Sequence, residues 1–196
     1  MSTDLTADIG VREIAPTYHS DSMDEIPLCF RVATVRKYTD ESPAVVELSV
    51  RNCIDRTVTV MFGMCAPFSE LFPTEYDGKS LALVPVDEFV EDRPDEEVPE
   101  YLDWDQYRPQ SPEDGMWKLT EGFTRLDIGH ELQLAPGERL QNRYEILASP
   151  RASELPMGEF RFRTDYRIDR GEFVQLGEHD LTLSVELTLL LSLGAD

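Results

Sequence analysis

The sequence predicts an all-β domain, an antiparallel β-sandwich. Three observations predict it. Apolar and polar residues alternate with period two in six or seven separate runs. No segment sustains the 3.6-residue period of an amphipathic helix. Short Gly, Pro and Asn signals separate most of the runs. Period-two alternation means one dry face and one wet face, the condition of an antiparallel sheet packed on one side.

The elements follow in chain order. Residues 1–26 are rich in Ser, Thr and Asp, with six acids and one base. They read as a mobile acidic tail in which Ile9, Val11 and Ile14 are able to dock. The sandwich domain then runs from 27 to 196. PLCFRVATVRKY (27–38) sets Leu28, Phe30 and Val32 on one face. AVVELSVRN (44–52) and TVTVMFGM (57–64) alternate around the polar turn CIDR, which predicts a hairpin. A long excursion, 65–125, links early strands to late ones, with a short helical piece expected near 67–71. LDIGHELQL (126–134), the turn APGE and RLQNRYEIL (139–147) come next. EFRFRTDYRI (159–168) alternates almost without fault, and 181–191 places Leu181, Leu183, Val185, Leu187 and Leu189 on one face.

Within the excursion, residues 87–114 form an acidic insertion with twelve acids, two bases and four prolines. It is too proline-rich for a central strand or a long helix and too long for an ordinary connection. Its Tyr101, Trp104 and Tyr107, three residues apart, suggest local docking through one helical turn.

The chain of 196 residues carries a net charge of −21, of which −10 lies in the insertion and −5 in the first 26 residues. Such a chain is repelled by nucleic acid and by anionic membranes, so neither is an expected partner. Lysine is nearly absent, with three against fifteen arginines. Acid-rich, lysine-poor usage resembles proteins of salt-accumulating halophilic archaea, whose carboxylate surface stays soluble where salt screens self-repulsion. The opening residues show no basic n-region followed by an apolar stretch, and no run is long enough to span a bilayer as a helix. The expected location is the cytoplasm. Cys29, Cys53 and Cys65 form no CxxC pair and read as reduced thiols.

Candidate chemistry is sparse. No cysteine sits in a nucleophile setting, and there is no phosphate-cradling glycine loop or GxSxG elbow. His130, His179 and Asp180 are candidate metal ligands, but they belong to separate turns. No cofactor is expected. The arginines say more. Arg161, Arg163 and Arg167 share the outward face of one strand, with Arg170 just beyond and Arg143 on the preceding strand. Three readings stay open: pairing with cross-strand acids, cover by the acidic insertion with its aromatics on the guanidinium planes, or an anionic partner segment.

The series VELSVRN, TVTVMFG, MWKL (116–119), Phe123, LQLAPGE (132–138) and LPMGEFRF (155–162) resembles the intracellular proteinase inhibitor family first described in bacilli. The resemblance spans about 44–168. It implies an immunoglobulin-like sandwich and, as an expectation, inhibition of a proteinase. The reading that results is a non-enzymatic interaction module binding a protein partner through loops or a sheet edge, with Arg143, Arg161, Arg163, Arg167, Tyr101, Trp104 and Tyr107 as contact candidates. The alternative is a metal-binding or hydrolytic protein using His130, His179 and nearby acids.

Overall fold

The computed structural model describes residues 3–16, 26–63, 65–74, 80–86, 104–122, 129–169 and 181–193. Nine strands are described: β1 (Thr3–Pro16), β2 (Leu28–Arg36), β3 (Ala44–Asn52), β4 (Val58–Phe62), β5 (Leu81–Pro85), β6 (His130–Leu134), β7 (Arg139–Ala148), β8 (Gly158–Asp169) and β9 (Leu181–Leu193). They form two antiparallel sheets, ordered β1-β9-β8-β4-β6 and β2-β3-β7-β5. The all-β expectation holds. The dry faces predicted by alternation meet: Phe162, Leu187 and Leu189 share one apolar cluster with Val46, Leu48, Tyr144 and Ile146. Val60, Tyr166 and Val185 share a second with Leu28 and Val50.

Three expectations about connectivity are corrected. The first concerns the tail: Thr3–Pro16 is a strand paired with β9 along its length. Leu5 is buried in the core, and Ala7 and Val11 pack against it, so the segment has enough inward apolar surface to dock. Residues 17–25 lie outside the described set.

The second concerns the hairpin. β3 pairs with β2 and β7, whereas β4 pairs with β6 and β8. The turn between β3 and β4 is therefore an arch that crosses from one sheet to the other. The link from β6 to β7 is a second arch. Alternation cannot separate the two cases, because an arch and a hairpin both present one apolar face per strand. Asn52, fully buried, joins the arches. Its side-chain amide donates to Arg56 O (2.7 Å) and Leu134 O (2.9 Å) and its carbonyl accepts from Ile54 N (3.1 Å). Its backbone bonds Glu138 O and Gly137 N, where Gly137 takes φ +78° as the turn requires.

The third concerns the excursion. Residues 81–85 form a strand buried on both faces, and residues 65–71 are a bent segment with no helix. That segment is held from beneath. Tyr166 donates to Pro67 O (2.6 Å), and Ser69 Oγ donates to Cys65 O (2.7 Å) while accepting from Gly63 N (2.8 Å).

The outer side of the four-stranded sheet is partly covered. The 3-10 turn Trp104–Tyr107 sits against β5, with Trp104 buried in the same cluster as Ala82, Val84 and Leu147. Beyond it, Trp117 and Leu119 bond Ala148 at the end of β7 (2.8 and 2.9 Å), and the Trp117 amide donates to the Tyr38 hydroxyl (2.7 Å). This cover explains why β5 reads as a continuous apolar run.

Candidate binding surface

Among the described residues no element covers the outer face of the five-stranded sheet. Register places its outward residues in rows across β1, β9 and β8: Thr6, Leu190 and Glu159; Asp8, Thr188 and Arg161; Gly10, Glu186 and Arg163; Glu13, Ser184 and Asp165. On β9 the outward row reads Leu190, Thr188, Glu186 and Ser184, flanked by charged residues of β1 and β8. Arg161 clasps Glu159 (2.6 Å). Arg163 reaches Glu13 (2.9 Å) and donates to Ser184 Oγ (3.2 Å), which donates to Asp165 (2.5 Å). Arg12, at the β1 bulge, pairs with Glu186 (3.1 Å). Cross-strand pairing is thus the reading that the geometry supports for Arg163, whereas Arg161 pairs with Glu159 along its own strand. Such exposed pairs hold about 0–1 kcal/mol each.

A cavity of about 590 Å³ opens beside this face, lined by Pro73, Thr74, Met157, Phe160, Arg161 and Arg163 among others. The Thr74 amide bonds Arg161 O (2.7 Å), which brings the 71–74 segment against β8. A second hollow of about 500 Å³ lies over Asp8, Arg12 and Thr188, and the two share Glu159, Arg161 and Glu186. The two adjoin through these three residues as a groove of guanidiniums and carboxylates, with apolar lining only at the end of Pro73, Met157 and Phe160.

Arg167 shares the outward face, in register with Met61 and Thr182. Arg143 does not. It lies on β7, in the other sheet, opposite Glu47. The preceding strand is not the neighbouring strand, because the chain arches across between β7 and β8. Trp104 and Tyr107 are also elsewhere, with ring centroids 6.1 Å apart beside β5. There Arg108 pairs with Asp105 and with Glu145 of β7, and donates to Pro85 O. The described end of the acidic insertion therefore docks on the four-stranded sheet, not over the arginines of β8. Tyr101, Arg170, His179 and Asp180 lie outside the described residues. His130 opens β6 opposite Phe62. Among the described residues no group of three His, Cys, Asp or Glu side chains is placed to hold a metal, and no helix is long and apolar enough to cross a membrane.

The cysteine expectation is corrected. Cys29 and Cys53 form a disulfide, with Cα atoms 6.0 Å apart across 24 residues. Antiparallel pairing of β2 with β3 brings them together, which spacing along the chain does not reveal. Cys65 is the free thiol, fully buried, and burial pushes it well above its ordinary range. It donates to Phe68 O (3.0 Å) and is held as a structural thiol. Sequence reasoning missed Arg12 and Glu13, because the strand carrying them was read as a tail. Compared with known proteins, the chain matches no family model, no curated protein and no solved structure.

Proposed function

We propose that the chain is a non-enzymatic protein-interaction module on an immunoglobulin-like sandwich scaffold, suited to concentrated salt. Its partner docks on the outer face of β1, β9 and β8 through an acidic segment. One observation carries the reading: in a chain of net charge −21, Arg12, Arg161, Arg163 and Arg167 gather, all exposed, on one sheet face. The opposite sheet is partly covered by residues 104–119 along β5 and the end of β7. Exposed ion pairs exchange partners at little cost, so an incoming carboxylate competes for each guanidinium with Glu13, Glu159 or Glu186. Their fixed spacing along β8 supplies register and orientation more than raw affinity.

The test is capture from a high-salt lysate by the full chain and by an Arg161→Glu, Arg163→Glu double variant. A protein held by the native chain and lost by the variant supports the reading. Equal capture by both overturns the surface, and recovery of the bare chain alone overturns the module.

A further inference from the structure

The Cys29–Cys53 disulfide lies on the outer side of the four-stranded sheet, away from the groove and from the 104–119 cover. Both half-cystines are exposed. Cys29 is in register with Arg51, and Arg51 with Arg139, so one row across β2, β3 and β7 reads Cys29, Arg51, Arg139. Arg31 follows Cys29 two residues on, exposed on the same face. Counter-charge is present: Glu47 pairs with Arg139 at 3.5 Å, and Asp55 is exposed on the arch. Arg51 donates to Gly137 O (3.2 Å) through Nε. In so acidic a chain this is a local cationic setting, the kind that favours a thiolate.

The fold around the bond does not depend on it alone. The arch that follows Cys53 is held by the three side-chain bonds of Asn52. The Cys53 amide bonds Pro27 O at 2.8 Å, and Leu28, Phe30 and Val32 anchor β2 in the core.

We propose that Cys29–Cys53 is a thiol–disulfide exchange site that a dithiol reductant opens in the folded protein. A thiolate of the dithiol attacks one sulfur, forming a mixed disulfide and releasing the other cysteine as a thiolate beside Arg51 and Arg31. The second thiol of the reductant then attacks the mixed disulfide. Two electrons pass to the cystine, two protons end on Cys29 and Cys53, and the reductant leaves as its own disulfide.

Dithiothreitol is the probe, with maleimide labelling read by mass spectrometry and the β signal followed by circular dichroism. The expected result is two labels, on Cys29 and Cys53, with the dichroism unchanged and Cys65 unlabelled. Reoxidation by diamide restores the bond. Arg51→Gln and Arg31→Gln each slow opening by roughly threefold, because the leaving sulfur loses a cation; Arg51→Lys keeps the native rate. Opening that needs denaturant, labelling of Cys65 in the same step, or native rates in both glutamine variants overturns the proposal.

Discussion

The Tyr144 hydroxyl donates to the carbonyl of Phe68 at 3.0 Å and accepts from the amide of the same residue at 3.0 Å. One phenol on β7 thereby satisfies both backbone groups of a residue in the bent segment after β4. Tyr144 is fully buried, so water does not take the place of a bond lost there. Tyr144→Phe keeps the ring, orphans the Phe68 amide and leaves the Phe68 carbonyl with the weak Cys65 thiol donor at 3.0 Å. The expected loss is about 1–3 kcal/mol of unfolding free energy in urea titration. A loss below about 0.5 kcal/mol contradicts this account.

Burial also sets an alkaline limit. Tyr144 and Tyr166 are pushed well above the ordinary 10.0 of a phenol, and Cys65 above the ordinary 9.0 of a thiol, in each case chiefly by desolvation. A folded pKa above the unfolded one gives stability that is complete below the unfolded value and is lost as pH rises beyond it. Unfolding free energy is therefore expected to hold to about pH 8 and to fall from about pH 9 upward. Urea titrations at pH 8 and pH 10.5 check it, and Cys65→Ala shifts the onset of the loss upward.

Glu145 sits between two guanidiniums. Arg36 reaches it at 3.0 Å and Arg108 at 3.2 Å, the second as an ion pair without hydrogen-bond alignment. With Pro85 O and Asp105 also on Arg108, this cluster ties the 104–108 turn to β7 and β5. Arg108→Ala is expected to cost about 1–2 kcal/mol and to speed hydrogen exchange at the Arg108 amide and nearby positions. Unchanged exchange there contradicts the assignment of Arg108 as the tie.

Net charge acts on the whole chain. At −21 the compact state repels itself in dilute buffer, and salt screens that repulsion. The melting temperature is expected to rise by ~10 °C or more between 0.1 M and 2 M KCl. The named ion pairs weaken over the same range, so a falling melting temperature means that they outweigh the repulsion.

Much of the fold was legible because alternation is a local property. The 159–168 and 181–191 runs announced β8 and β9 and the face that each buries, since Phe162, Tyr166, Leu183 and Leu187 fall at every second or fourth position. β5 was not legible: LALVP has no wet face, because Trp104 and its neighbours cover it from outside. β1 was hidden by its polar outward half, Asp4, Thr6 and Asp8. Of the candidate surface, Arg161, Arg163 and Arg167 were visible as a stripe, while Arg12 and Glu13 were not.

By itself the sequence determined an all-β chain, the inward side of most strands and the unequal spread of charge, since each depends only on neighbours along the chain. Which strands share a sheet was decided by tertiary structure. So were the union of Cys29 with Cys53 and the separation of Arg143 from Arg163. The physical reason is that an arch and a hairpin carry the same alternating pattern. They differ only in long-range contacts, and here Asn52, buried between two arches, helps select between them.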